Sequence, residues 1–199
     1  FRSQETIDTA GTTLGVSGAN EAKRVQKEYM QNHRLNIPTL LMADIIHGFR
    51  TIFPIPLALG STWDEAAVEK MAEISAKEAA VSGLHVTFSP MVDLVRDPRW
   101  GRVMESTGED PLLNSRLAAA MVRGYQGENL KEDNWRVAAC VKHFAAYGGA
   151  LAGRDYNTVD MSERQLREMY LPGYKAGLDA GAKLVMTSFN TVEIGRAHV

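Results

Sequence analysis

Arg136-Val137-Ala138-Ala139-Cys140-Val141-Lys142-His143-Phe144, residues 136–144, is a short apolar run that stops abruptly on a lysine and a histidine. A run this short, bounded by polar residues, fits a strand buried on both faces of a parallel sheet, predicted over Arg136 to Val141. Four further runs of the same kind are Thr13 to Val16, Thr39 to Ile46, His85 to Val92 and Lys183 to Ser188. Longer segments with helical spacing separate them, and this alternation predicts an α/β fold with a parallel sheet. A dinucleotide-binding sheet would carry G-x-G-x-x-G directly after a strand, and the sequence has no such turn. The expected architecture is a partial (β/α)8 TIM-like barrel of about five strands, because a complete barrel takes roughly 250 residues.

The helices are punctuated by side chains that satisfy their free ends. Thr62 with Glu65 predicts a capping box ahead of Val68, Met71 and Ala72, with Gly83 placed to end that helix in the left-handed region. Asp110 before Pro111 predicts a second start, since proline tolerates the first helical position and aspartate accepts from free amides. Ser162 and Gln165 predict a third, closed by Gly181, with Pro172 kinking or splitting it. Ala19 to Leu35 is a fourth helix.

Composition narrows the function classes. The 199 residues carry 22 Lys and Arg against 24 Asp and Glu, a formal net charge of −2, which argues against nucleic acid or a polybasic membrane contact. Hydrophobic residues make up 45%, enough for a sizeable core and against disorder. No run of 18 apolar residues suggests a membrane span. Cys140 is the single cysteine, so neither an intrachain disulfide nor a cysteine zinc cluster is available. The first residue is Phe1, and no signal segment precedes it, so the chain is expected to begin within a longer protein.

In a barrel the functional groups stand at the C-terminal ends of the strands. Three predicted strands carry charge there: Asp44 directly after the run Thr39 to Ala43 of the second, Asp93 and the cluster Arg96, Asp97, Arg99 and Arg102 after the third, and Lys142-His143 after the fourth. Asp44 alone would also suit a local turn or cap, and the arginines would suit a solvated loop with weak surface pairs. Lys142-His143 is harder to read that way, because an unpaired ammonium beside an apolar strand is expensive to bury. Other signals are poorer. His33, His85 and His198 have no partner at metal-ligand spacing, and Gly15, Ser17 and Gly18 miss the nucleophile elbow G-x-S-x-G. Gly148, Gly149 and Gly153 lack the ending of a phosphate loop and read as a loop that admits a ligand to the backbone. Cys140 reads as inert core, Trp63 and Trp135 as packing, and Trp100 as an aromatic wall of a pocket.

Asp97-Pro98-Arg99-Trp100-Gly101-Arg102, followed by Glu105 and Gly108-Glu109-Asp110, resembles the D-P-R-W-G-R…E…G-E-D signature of glycoside hydrolase family 3. Lys142-His143-Phe144 is similar to that family's K-H-F motif, Asp44 with Ile46-His47-Gly48 to its D-x-x-H-G motif, and Asn157 to Ser162 to a stretch of its periplasmic-type β-glucosidases. The resemblance runs from about Thr13 to Val192. It implies a retaining exo-β-glycosidase, without cofactor or metal, that releases the non-reducing terminal sugar of a β-linked oligosaccharide or aryl glycoside. By motif position Asp44 would accept hydrogen bonds from sugar hydroxyls, Arg102, Lys142 and His143 would donate them, and Phe189 would edge the subsite. Such charge-assisted bonds are the stronger kind. A periplasmic or secreted location is implied as well.

Retention needs two carboxyl groups about 5 to 5.5 Å apart. The resemblance implies a nucleophilic Asp in an S-D-W- or S-D-H-like motif on a later strand, and an acid/base Glu from a following α/β sandwich domain. Neither motif occurs in the sequence. The expectation is therefore a truncated barrel domain over residues 1–193, inactive alone, with residues 194–199 (Ile194-Gly195-Arg196-Ala197-His198-Val199) as a non-native tail. A β-N-acetylglucosaminidase would carry K-H-F-P-G-H-G and an Asp-Ser-His, whereas Ala145-Ala146-Tyr147-Gly148 follows Phe144 here, so the glucosidase or xylosidase branch is preferred. Two readings from other classes stand beside it: an aldolase forming a Schiff base on Lys142, and a non-catalytic sugar-binding module.

Overall fold

A computed structural model describes residues 10–16 and 18–192, and the backbone of 195–196. Five parallel strands lie side by side in chain order: β1 (Thr12–Leu14), β2 (Leu40–Ala43), β3 (Val86–Thr87), β4 (Ala138–Phe144) and β5 (Leu184–Thr187). Helices cross between them: α1 (Ala19–Asn32), α2 (Pro56–Gly60) with α3 (Glu65–Val81), α4 (Pro111–Gln126) and α5 (Leu171–Asp179). The sheet curls into half a barrel, as the strand and helix alternation predicts. An antiparallel hairpin, β6 (Thr191–Val192) with β7 (Gly195–Arg196), follows. The expected boundary at 193/194 falls on residues outside those described.

Where elements differ from the sequence reading, the cause is local. The third strand shortens to two residues because Pro90 brings no N–H to the ladder. Beyond it the segment still bonds to β4, Cys140 N donating to Ser89 O at 3.0 Å and Val92 N to Lys142 O at 2.9 Å. The α3 cap is Asp64 rather than Thr62: Asp64 Oδ1 accepts from Ala67 N at 3.0 Å, while the Thr62 hydroxyl turns back to Leu59 O at 2.6 Å. Asp110 caps α4 as predicted, accepting from Leu113 N at 2.7 Å behind Pro111. Ser162 caps the turn Glu163–Gln165, and ahead of Pro172 the chain widens into a π-helical turn, Leu166–Tyr170, before α5. Replacing Asp110 by alanine is expected to cost about 1 kcal/mol in urea unfolding, the usual value of such a cap.

The main core lies between the outer face of the sheet and the helices, with Leu41, Ala139 and Val141 against Val68, Leu117, Met121 and Tyr174. α3 and α4 touch at Gly124, where a Cβ would stand 2.3 Å from Glu69 O. A smaller cluster, Met42, Val86 and Cys140 with Phe88, Leu184 and Met186, fills the concave face. Burial pushes the Cys140 thiol up to about 11, which fits the inert role expected for it. The two other tryptophans depart from expectation: Trp63 is exposed, and so is Trp135, whose ring lies under Lys77 Nζ at 5.1 Å. The edge strands β1 and β5 carry exposed Leu14 and Val185.

Candidate functional site

Strand pleating and one irregularity build the site. Along β4, Ala139 and Val141 face the helices, and Val141 Cγ2 sits 2.7 Å from where a Cβ on Gly177 of α5 would be. Cys140 and Lys142 therefore face the concave side. The ladder to β5 shifts register between Lys142 and Phe144, and the consecutive residues Lys142 and His143 both line one crater. The Lys142–His143 and Phe144–Ala145 peptide bonds are cis.

The crater, of about 390 Å³, opens at the C-terminal ends of the strands and is lined by Asp44, Arg102, Lys142, His143 and Phe189, together with aromatic and β5 residues. All five residues singled out in the sequence thus meet in one place. The Lys142 side chain is 3% exposed and its Nζ donates to Asp44 Oδ1 at 2.8 Å, with Glu105 Oε2 at 3.6 Å. Glu105 holds Arg102 at two points, Nε at 2.6 Å and Nη2 at 2.7 Å, the bidentate geometry that fixes a guanidinium. Arg102 Nη1 lies 3.3 Å from His143 Nε2. On the other side of the imidazole, Asp93 Oδ2 accepts from His143 Nδ1 at 2.9 Å and from its backbone N at 3.0 Å.

These contacts set the ionisation of the site. Burial pushes the Glu105 carboxyl up, but Arg102's hydrogen bonds and the surrounding positive charges outweigh it and hold the group below its usual 4.5. Glu105's hydrogen bonds in turn keep Arg102 firmly charged. A carboxyl whose folded value lies below its unfolded one contributes stability that is complete above about pH 4.5 and is lost as the pH falls through the folded value. Glu105→Gln is expected to flatten that acid limb when urea stability is measured across pH 3 to 6.

The remaining motif residues do structural work around the crater. Asp44 caps nothing and pairs with Lys142 instead. His47 and Gly48 form a tight turn: Phe53 N donates to His47 O at 2.8 Å, and a Cβ on Gly48 would meet Thr51 O at 2.0 Å. Of the three arginines after β3, Arg102 alone lines the crater, while Arg99 is exposed and through its hydrogen bonds holds Asp97 down to about 2. His85 is a satisfied histidine, its Nδ1 accepting from Leu41 N at 3.0 Å, and His33 stacks on Tyr29. His198 lies outside the described residues.

Two readings need correction. Trp100 is no pocket wall: it does not line the crater but packs behind it with Met91 and Tyr147, and donates from Nε1 to Asp155 Oδ1 at 3.0 Å. The glycines of residues 148–153 admit the protein's own chain rather than a ligand, since a Cβ on Gly148 would stand 2.1 Å from Leu94 O and one on Gly153 2.7 Å from Trp100 N. The aromatic wall is instead Tyr147 and Tyr156, stacked at 5.1 Å, with Phe189 6.1 Å further along. Burial and the bond to Asp155 push the Tyr147 hydroxyl above its usual range. Sequence reasoning missed both tyrosines, because a long loop returns them to the crater and no periodicity marks such a return. Among the described residues no group of three or more His, Cys, Asp or Glu side chains is placed to hold a metal ion.

A parallel α/β half-barrel with charged and aromatic side chains gathered at its C-terminal strand ends defines a barrel domain that carries its site where such domains do. The chain belongs to glycosyl hydrolase family 3, whose N-terminal domain matches residues 9–199. It is similar to a β-glucosidase of Listeria innocua solved as a mutant in complex with laminaribiose, at 60% identity and a TM-score of 0.94 over 96% of this chain and 26% of that one. Among curated proteins it is 46% identical to a periplasmic β-glucosidase of Salmonella typhimurium, over 92% of this chain and 24% of that protein. It is also 36% identical to a β-xylosidase of Formosa agariphila, over 92% of this chain and 27% of that protein. The chain thus spans about a quarter of the length of these relatives.

Proposed function

We propose that the crater is the glycone subsite of a retaining exo-β-glucosidase that releases the non-reducing terminal sugar of a β-linked oligosaccharide or aryl glucoside. The observation that carries this is the meeting of Asp44, Arg102, Lys142, His143 and Phe189 in one crater. Asp44 accepts from sugar hydroxyls, Lys142 and Arg102 donate, and Phe189 with Tyr156 edges the opening. Arg102 and His143, already held in place by Glu105 and Asp93, hydrogen-bond a hydroxyl without reorganising, and a sugar lacking that hydroxyl leaves them unpaired.

Bond breaking is assigned to groups beyond this set. The carboxylates around the crater are engaged, Asp44 and Glu105 by Lys142 and Arg102, Asp93 by His143. By family resemblance the nucleophile is an Asp in a Ser-Asp motif on a later strand and the acid/base a Glu of a following α/β sandwich domain. The 199 residues contain no Ser-Asp pair, and on this reading they bind sugar without cleaving it. Residues up to 193 form the barrel domain, and export to the periplasm follows the Salmonella relative. No helix among the described residues is long and apolar enough to cross a membrane.

The Schiff-base reading finds no support in the geometry, because a lysine paired with two carboxylates is the opposite of the desolvated, unpaired amine that chemistry uses. Calorimetric titration of the chain with glucose and with xylose tests the proposal. Saturable binding of glucose, lost in Asp44→Ala, is expected; tighter binding of xylose would favour the xylosidase branch, and binding of neither would refute the subsite. Turnover of an aryl β-glucoside by the purified chain would overturn the assignment of the catalytic carboxyls elsewhere.

A further inference from the structure

Asp93 is buried and its side chain reaches no solvent. Its Oδ2 takes both N–H groups of His143, backbone and Nδ1, and its Oδ1 lies 2.8 Å from the Tyr174 hydroxyl of α5. That hydroxyl also lies 2.6 Å from His143 O, so the single phenolic proton is shared between the carboxylate and the His143 carbonyl in a three-centre contact. Burial and the Asp93 charge push the Tyr174 hydroxyl well above its usual value, which keeps it a donor.

Donor and acceptor counting then runs one way through the imidazole. A carboxylate only accepts, so the proton between Asp93 Oδ2 and His143 Nδ1 sits on the nitrogen. A guanidinium only donates, so His143 Nε2 accepts from Arg102 Nη1 at 3.3 Å. Arg102 cannot turn away, because Glu105 holds its Nε and Nη2. We infer that Asp93, anchored by Tyr174, is a positioning residue that fixes His143 as the Nδ1–H tautomer, so that the imidazole offers the crater an acceptor rather than a donor.

This rests on the reading of the crater as the glycone subsite, and it reverses the role that motif position gives His143. A sugar hydroxyl entering between Arg102 and His143 accepts from Nη1 and donates to Nε2. Both halves of the hydroxyl are then used. A fluorine at that carbon keeps the first bond and loses the second, and a hydrogen loses both.

Imidazole 15N spectra of the full chain test the tautomer without sugar. The five histidines are separable by assigning His143 through the loss of its signals in His143→Asn. The expected result is a protonated, pyrrole-type Nδ1 and a pyridine-type Nε2 in the unmodified chain. Asp93→Ala should mix or reverse that pattern, whereas Asp93→Asn, which keeps an oxygen toward both N–H groups and turns its amide to Tyr174, should preserve it. Glucose affinity is expected to fall at least about 10-fold in Asp93→Ala, the loss expected when a site's polar group no longer meets its hydroxyl, and to recover to within a few-fold in Asp93→Asn. One monodeoxyfluoro-glucose should bind at least about 10-fold more weakly than glucose, the loss expected when a site's polar group is left unpaired. A protonated Nε2 in the unmodified chain overturns the inference even where Asp93→Ala fails to fold. The predicted tautomer with no glucose binding would refute the subsite and leave the positioning role standing.

Discussion

Lys142→Met is expected to weaken sugar binding sharply while leaving the fold as stable as before, to within about 1 kcal/mol. The separation follows from where the charges sit. Lys142 is buried at 3% exposure, whereas its nearer partner Asp44 is 62% exposed and returns to water when the lysine is gone. The second partner, Glu105, keeps both bonds from Arg102. Methionine fills nearly the same volume, and neither carboxylate is left buried without a partner, which is the condition under which removing one member of a pair is costly. Hydrogen bonds from a charged donor contribute about 1.5–3 kcal/mol, so glucose affinity should fall roughly 10- to 150-fold. The reverse change behaves differently. Asp44→Ala leaves the buried ammonium with Glu105 alone at 3.6 Å, and about 1–3 kcal/mol of stability should go with the affinity. Urea unfolding beside calorimetric titration of the two variants checks the pattern; equal destabilisation by both would mean that Lys142 is held for the fold rather than for a ligand.

The strand order and the meeting of Asp44 with Lys142 and His143 were legible in the sequence for one physical reason, whereas Arg102, in the loop beyond β3, was told apart from Arg96 and Arg99 only by the resemblance of its motif. In a parallel barrel every strand delivers its C-terminal residue to the same rim, so local runs alone fix which charges become neighbours. What was not legible depends on chain returning from a distance. Pro90 shortens β3 without ending its hydrogen bonding, because the segment continues to pair with β4. Thr62 and Asp64 are equally good caps by residue type, and only the preceding turn of α2 decides that Thr62 closes one helix while Asp64 opens the next. Trp63 and Trp135 are exposed, and residue type alone does not decide whether an aromatic ring is covered by chain distant in sequence. Tyr156 reaches the crater from a loop that carries left-handed residues at Ala152, Gly153 and Tyr156 itself.

That loop packs on Trp100, and Trp100→Ala is expected to be strongly destabilising. The ring is 2% exposed and packs edge-on against Tyr147 with centroids 5.0 Å apart. Truncating a buried tryptophan costs about 3–5 kcal/mol, which for a domain of this size lowers Tm by on the order of 10 °C. The damage should reach the crater without touching a crater side chain. Asp155 loses the indole donor and is left with the Tyr147 hydroxyl and the Tyr156 backbone N–H. Gly148, where a Cβ would stand 3.3 Å from the indole Cζ3, loses that surface, while Gly153 stays closed on the Trp100 backbone. Tyr147 and Tyr156 then lose their support, and glucose affinity should fall although Lys142 and Arg102 remain in place. Trp100→Phe separates packing from hydrogen bonding, since it keeps an aromatic ring against Tyr147 but offers Asp155 no N–H. An intermediate loss of stability is expected for it in urea unfolding. A cost below about 1 kcal/mol for Trp100→Ala, the level of a surface change, would mean that the loop is held from elsewhere, and the tryptophan of the Arg99-Trp100-Gly101-Arg102 signature would then need a role at the ligand after all.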